Sequence, residues 1–452
     1  MPSAFPEAKT SYTSFDGHTR LFSRSRRPDR YRYWDLADLD EVTIPRGAGL
    51  SYVAASFSAR SVTVDHGRFN RILAFDGKTR QVEVEAGISL GDLYDFLSPR
   101  GFYLSAQPGH PAITVGGCCA PDVHGKNQFR EGTFIRQVEG ARLFHPAHGI
   151  IEIGPRRSPE LFRLTFGGYG LTGNLVSVTL GVKEIPSPIM SVRTLYLDDI
   201  HQLPAQLGES AARSDLVYSW HSFTAKGRSF GRGFIKEGRF DVASGYSAPS
   251  KAVAGPATHR PLSSESRGSW RVPLLGSVTI PLCNRLYDLG SRAARREGRM
   301  GLYEFLFPVH EKQFYFKLFG RRGFWEYQVL IPAHRFDEWV DRVRVRLSRK
   351  PIPVTLASGK LFAGEGELLR FTGNGICFAL DFPRTPEGRE FAEYLDRLSI
   401  QLGCLPNLIK DSRLSARVVA ETYPGYERFR RELREFDPRR LYRSELSDRL
   451  EL

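Results

Sequence analysis

Three glycine-rich segments within the first 180 residues constrain this chain more than any other feature. The first is Pro45-Arg46-Gly47-Ala48-Gly49-Leu50-Ser51-Tyr52, directly after the strand-forming Glu41-Val42-Thr43-Ile44. The second runs from Pro108-Gly109 through Thr114-Val115-Gly116-Gly117 to Asp122-Val123-His124-Gly125-Lys126-Asn127. The third is Phe166-Gly167-Gly168-Tyr169-Gly170-Leu171-Thr172-Gly173, just before another strand. Glycine lets backbone N–H groups come close to an anion, and a pyrophosphate is the usual guest of such loops. The first segment matches neither G-x-x-x-x-G-K-[ST] nor G-x-G-x-x-G, which argues against a P-loop or the doubly wound dinucleotide fold there.

The strand and helix signals around these loops alternate. Ser61 to Val64 and Gln81 to Glu85 read as strands, the latter with a clean two-residue alternation. Ser89 is positioned to cap a short helix carrying Leu90, Leu93, Tyr94 and Leu97. Leu143 to Ile153 reads as a hairpin turning at His148-Gly149, and Leu175 to Val182 as a strand. Pro186 and Pro188 then mark a boundary. Beyond it the texture is aromatic, and Leu302–Phe307, Gln313–Phe319 and Trp325–Ile331 read as strands. The Ser/Pro/Arg-rich stretch from about 247 to 300, with its apolar run Trp270–Leu282, reads as a long loop over a site. Glu387–Leu402 is an amphipathic helix, with Phe391, Leu395, Leu398 and Leu402 on one face. The tail after 425 has a helical pattern.

A length of 452 residues accommodates two or three domains, and 41% hydrophobic with 12% aromatic residues supplies real cores. The formal charge of +14 is mostly an arginine excess, which suits phosphates and carboxylates. Arg24, Arg26, Arg27, Arg30 and Arg32 interleave with Tyr31, Tyr33 and Trp34; the expectation is an ordinary segment that packs its aromatics inward, against a nucleic-acid contact. The five cysteines have no CxxC spacing, which suggests neither a disulfide framework nor a metal site, and fits a reducing compartment. No secretory signal and no apolar run of spanning length is read in the chain, so the expectation is a cytoplasmic protein, in contact with a membrane only at its periphery.

Together the three segments resemble the PCMH-type FAD-binding domain of the vanillyl-alcohol oxidase superfamily, and within it the decaprenylphosphoryl-ribose 2-oxidase group, the flavin subunits of a sugar epimerase. His124-Gly125-Lys126-Asn127 and Gly168-Tyr169-Gly170-Leu171-Thr172-Gly173 carry the likeness at one end, and Lys410-Asp411-Ser412-Arg413 and Arg449-Leu450-Glu451-Leu452 at the other, with Tyr327-Gln328 and Asp381-Phe382-Pro383 between. The resemblance implies an α+β fold: a two-lobed FAD-binding domain over residues 1–187, a substrate (cap) domain on an antiparallel sheet over 188–403, and a C-terminal segment, 404–452, returning to the first domain and the active site.

It also implies roles. Pro45, Arg46, Gly47, Ala48, Gly49, Leu50, Ser51 and Tyr52 would wrap the FAD, with Gly109, Thr114, Val115, Gly116, Gly117, His124, Gly125, Lys126 and Asn127 along the flavin and Val176 near the adenine. Lys410, His124 and Gln328 would be catalytic, and Tyr52, Gln328, Lys360, Cys377 and Lys410 would meet substrate. From the residues alone, the favoured reading of Lys410 is a salt bridge to Asp411 or a phosphate clamp. Leu50 stands where many superfamily members attach FAD through histidine, so the FAD is expected to be non-covalent. Ala379 replaces the group's pocket cysteine, Asn407 a tyrosine and Glu326 a second glutamine.

The implied reaction is oxidation of a sugar secondary hydroxyl to a ketone, the 2-hydroxyl of a polyprenyl-phosphate pentose, with a short-chain reductase as partner; it belongs with cell-wall arabinan synthesis. An aldonolactone or alditol oxidase, a sugar-tailoring oxidase of a natural product and, remotely, a basic nucleic-acid-binding protein are the alternatives.

Overall fold

The computed structural model describes residues 6–35, 40–224, 227–242, 274–276, 279–293, 296–308 and 313–452. Among them, β1 (Glu7–Thr13), β2 (Arg20–Arg26), β3 (Thr43–Arg46) and β4 (Val62–Asp65) form a mixed sheet in the order β1-β2-β4-β3. The second sheet is antiparallel. It holds β5 (Ile72–Asp76) and β6 (Gln81–Glu85), while the short β7 (Phe102–Tyr103) lies apart; β8 (Val138–His145), β9 (Gly149–Ile153) and β10 (Asn174–Gly181) complete it in the order β5-β6-β10-β8-β9. A two-residue strand, β11 (Lys183–Glu184), pairs with β7.

Eight strands follow in one antiparallel sheet: β12 (Ile189–Leu197), β13 (Leu216–His221), β14 (Gly233–Phe240), β15 (Glu297–Gly301), β16 (Phe324–Ile331), β17 (Leu356–Phe362), β18 (Gly375–Pro383) and β19 (Leu405–Pro406), ordered β15-β12-β14-β13-β17-β18-β16-β19. The fold is α+β, with the small sheets carrying the glycine loops and the large antiparallel sheet forming the cap.

The large sheet has two different faces because side chains alternate along a strand. Trp325, Tyr327, Val329 and Ile331 of β16 join Ile376, Phe378, Leu380 and Phe382 of β18 in a core closed by the helices Phe336–Arg349 and Pro386–Leu402. Each such side chain, fully buried, contributes about 1.5–3 kcal/mol. The intervening residues Glu326 and Gln328, with Cys377, Ala379 and Asp381, lie on the opposite face. This explains why β16 and β18 are buried throughout and yet carry polar residues.

Ser89 caps the helix Leu90–Leu97 by accepting from the Asp92 N–H, as its sequence implies. The hairpin at His148-Gly149 and the helix over Pro386–Leu402 also form where expected. Two strand expectations are corrected. Leu302–Leu306 is an α-helix, with Glu304 folded back to the Gly301 N–H, and Gln313–Leu318 is 3-10 helical. Short apolar runs do not distinguish a buried strand from a buried helical turn. The loop expected near 247–300 falls largely outside the described residues; its described end includes a helix, Thr279–Ala293.

The arginine-rich segment packs two of its three aromatics inward, and Tyr31 stays exposed. Tyr33 and Trp34 are buried, and Arg24 and Arg26 pair with Glu7 and Glu41. No helix of the described residues is long and apolar enough to cross a membrane, and no group of His, Cys, Asp and Glu among them could hold a metal ion.

Candidate active site

The three glycine segments, far apart in sequence, meet in space. β3 ends at Arg46, and the loop beyond it passes so close to the second segment that a methyl group built on Gly47 would lie 2.1 Å from the Thr114 Oγ1. Thr114 caps the short helix Val115–Cys119 by accepting from the Gly117 N–H at 3.1 Å. The third segment braces the other two. The Tyr169 N–H donates to the Ala120 carbonyl at 2.7 Å, and a Cβ on Gly170 would meet Pro45 at 3.0 Å. Tyr169 itself has φ +56°, and Gly167 and Gly170 share that left-handed backbone region.

This cradle suits an anionic dinucleotide. Arg46 is held below its ordinary range by burial; its guanidinium rests on the Tyr12 ring and donates to Ser56, with no carboxylate in ion-pair range among the described residues. The Asn127 Oδ1 and Gln107 Nε2 are buried without hydrogen-bond partners among the described residues, and both residues flank Gly125. Val176 is the extra residue of a bulge where β10 pairs with β8, so its backbone is left out of the ladder. Its side chain packs with Tyr33, Trp34 and Phe144. Gly109 sits in a loop against Pro308. Lys126 turns toward the cap, its Nζ donating to the Leu306 carbonyl at 2.8 Å. Burial, then the Lys360 charge, holds its ammonium well below the ordinary lysine range.

The cap sheet presents its polar face to this cradle. Lys360 of β17 lies opposite Cys377 of β18, and Gln328 of β16 lies opposite Ala379. Gln328 accepts from the Asn407 Nδ2 at 2.6 Å, and Asn407 also receives Lys410 and Ile409 N–H groups. That knot projects Lys410 into the site, where its Nζ lies 3.0 Å from Glu326 Oε1 and 3.8 Å from the centre of the Tyr52 ring. Asp411 is engaged elsewhere, with Arg413 at 2.7 Å, so the alternative of a Lys410–Asp411 bridge is replaced by a bridge to Glu326.

His124 packs edge-on against Phe362, with ring centres 4.7 Å apart. Burial first, and then the Lys360 and Lys410 charges, hold it well below the ordinary histidine range, so it is neutral. Gln328 is among its hydrogen-bonding neighbours. Burial pushes the Cys377 thiol up to about 12, despite the opposing influence of Lys360, so it is a protonated thiol and a poor nucleophile.

The cluster thus gathers His124, Gln328, Lys360, Cys377 and Lys410, with Tyr52 from the first glycine loop. Three further residues join the site: Tyr315 and Arg370, which sequence reasoning missed, and Glu326, which it noted only as standing in place of a second glutamine. Tyr315 donates to Asp381 at 3.1 Å, Glu326 pairs with Lys410, and Arg370 lies 3.9 Å from the buried Asp122 while donating to the Phe166 carbonyl. Glu326 carried one usable signal, its position two residues from Gln328 on the same strand face. Tyr315 lay hidden in a run read as a strand.

A model described as FAD binding domain matches residues 34–154. The chain is 28% identical to decaprenylphosphoryl-beta-D-ribose oxidase of Mycolicibacterium smegmatis over 432 residues, covering 90% of this chain and 89% of that protein. It is 33% identical to L-galactono-1,4-lactone dehydrogenase 1 of Oryza sativa over 140 residues, 31% of this chain and 24% of that protein. It is 32% identical to the yeast D-lactate dehydrogenase [cytochrome] 1 over 125 residues, 27% of this chain and 20% of that protein. With the cradle and the lysine-bearing pocket described above, these likenesses make the chain an FAD-dependent oxidoreductase acting on CH–OH groups, similar over most of its length to decaprenylphosphoryl-beta-D-ribose oxidase.

Proposed function

We propose that the protein oxidises a secondary hydroxyl of a sugar to a ketone, with the 2-hydroxyl of a polyprenyl-phosphate pentose as the substrate group and non-covalent FAD as the oxidant. The observation that carries this reading is the meeting of Lys410, Gln328 and neutral His124 where the polar face of the large sheet looks onto the glycine cradle. Pro45 to Tyr52, Thr114 to Gly117 and Gly125 to Asn127 would hold the FAD. Leu50, an aliphatic residue, offers no nucleophile for covalent attachment. FAD, when bound, supplies the hydride acceptor.

The chain's own residues supply orientation and proton handling. Gln328, fixed by Asn407, presents an amide to the sugar. Lys410 Nζ is the group placed to receive the hydroxyl proton. His124 closes the pocket as a neutral ring wedged against Phe362. Lys360, held below the ordinary lysine range by burial and with no carboxylate in ion-pair range among the described residues, is available to an anionic group such as the sugar phosphate. In this reading the reaction is the first half of an epimerisation serving arabinan synthesis, a short-chain reductase returns the hydride to the keto sugar, and the enzyme works in the cytoplasm, at the periphery of the membrane that holds its lipid.

An aldonolactone oxidase is the second reading, favoured by the 33% identity to the lactone dehydrogenase, but that likeness spans under a third of this chain. Turnover trials separate the two. Oxidation of a polyprenyl-phosphoryl ribose, with no activity on galactonolactone or alditols, supports the first reading, and the reverse pattern overturns it.

A further inference from the structure

The residue paired with Lys410 has a partner of its own. Glu326 and Asp381 lie directly opposite each other on β16 and β18, on the face that carries the site. Facing residues of an antiparallel pair have Cβ atoms about 4.5–5.5 Å apart. Asp381 is 1% exposed. Its Oδ2 accepts from the Tyr315 hydroxyl at 3.1 Å, and its Oδ1 has no hydrogen-bond partner among the described residues. Two buried carboxyl groups this close do not both ionise readily. Burial, then the Glu326 charge, pushes Asp381 well above the usual carboxylate range, with Lys410 opposing. Asp381 is thus the member of the pair that burial and its neighbour push toward the protonated form, and Glu326 is the member whose Oε1 lies 3.0 Å from the Lys410 Nζ.

We propose that Glu326 is a positioning residue that acts through Lys410 as the final acceptor of the substrate hydroxyl proton, and that Asp381 is its neutral, proton-bearing partner. The proposal rests on the reading of Lys410 as the group facing the hydroxyl. The balance is simple. The substrate O–H bond breaks as its proton passes to Lys410 Nζ, and one Nζ proton passes to Glu326 Oε1. FAD, when bound, would supply the acceptor for the C–H hydrogen and its electron pair, and the C–O bond would become a carbonyl. Lys410 ends as it began, and Glu326 holds one proton to release to solvent. The other groups in the field of Glu326 are Tyr52 from the first glycine loop, Tyr315 from the 3-10 turn, Lys360 from β17 and Cys377 from β18.

Two measurements test this, one on the flavin-loaded and one on the flavin-free protein. The first is the pH profile of single-turnover flavin reduction by a polyprenyl-phosphoryl ribose, in wild type, E326Q, E326D and K410M. The expected result is an acidic limb in wild type. E326Q loses that limb and slows by about 10²-fold, the scale of a lost proton acceptor, while E326D restores part of the rate. The second is infrared difference spectroscopy across a pH titration of the flavin-free protein. A protonated carboxyl band should be present in wild type at neutral pH, absent in D381N, and titrate at lower pH in E326Q. E326Q with the wild-type rate and limb, or no band that depends on Asp381, overturns the proposal. If E326Q does not hold flavin, the E326D profile decides: a displaced limb supports the proposal and an undisplaced limb overturns it. Full activity in K410M would instead sink the functional reading beneath it.

Discussion

Arg413 grips Asp396 through both terminal nitrogens, at 2.5 and 3.0 Å, and so ties the Lys410-Asp411-Ser412-Arg413 turn to the helix Pro386–Leu402. The same guanidinium holds Asp411 at 2.7 Å, and all three side chains are almost wholly buried. Ser412 extends the anchorage by donating to the Tyr52 carbonyl at 3.1 Å. The turn that carries Lys410 is therefore fixed both to the cap and to the first glycine loop.

Removing one member of such a buried ionic group leaves charges without compensation, at a cost of about 3–5 kcal/mol. Arg413→Met should lose stability on that scale in urea unfolding, and Arg413→Lys less, because an ammonium reaches fewer of the acceptors. A change below 1 kcal/mol for Arg413→Met would show that the turn is held by its apolar contacts instead.

Gly47→Ala tests the cradle. The added methyl meets Thr114 Oγ1, which is itself engaged in capping. Overpacking of this kind costs about 1–3 kcal/mol. If the loop yields only when FAD is absent, FAD affinity should fall by about 10- to 100-fold in a flavin fluorescence titration. Unchanged affinity would mean that the loop accommodates the methyl and that FAD does not depend on this approach.

The glycine loops, the capped helix and the amphipathic helix were legible because their signals are local. Glycine is required where a neighbour leaves no room for a Cβ or the backbone takes a positive φ; Gly47, against the Thr114 side chain, is the first kind and Gly170, at φ +79°, the second. The cap was less legible. Leu302–Leu306 and Gln313–Leu318 are apolar runs whose period is too short to reveal a helical turn, and tertiary burial decides their form. The identity of the pocket cluster came from motif resemblance, but its wiring did not. Nothing local says that Lys410 prefers Glu326 to the adjacent Asp411. That choice is made by strand register across residues 326 and 381 and by the competing claim of Arg413 on Asp411.

His221 predicts a pH-dependent stability. Its Nδ1–H donates to the Gly231 carbonyl at 2.8 Å, leaving Nε2 to accept from the Ser219 hydroxyl at 2.9 Å. Burial lowers its pKa from 6.5 to about 4. Between those values the unfolded chain binds a proton that the folded one refuses, so stability is complete above 6.5 and is lost as the pH falls toward 4. The shift corresponds to about 3 kcal/mol. Wild type should lose about that much more than His221→Gln over this window in urea titrations. Parallel pH curves would contradict the assignment.

Lys360→Met addresses the anionic end of the substrate. A charged hydrogen bond contributes about 1.5–3 kcal/mol, so KM for a polyprenyl-phosphoryl ribose should rise by about 10- to 100-fold with a smaller change in kcat. A loss confined to kcat would place Lys360 at the reacting carbon instead of the phosphate.

The most direct test of the central claim is the visible spectrum of the purified protein, recorded before and after acid precipitation and then, for the native protein, during anaerobic addition of a polyprenyl-phosphoryl ribose. The account predicts flavin bands, release of the flavin into the acid supernatant, and bleaching by the lipid-linked sugar. Flavin retained in the pellet would contradict non-covalent binding at the Leu50 loop, and flavin that the lipid-linked sugar fails to bleach would contradict the proposed oxidation.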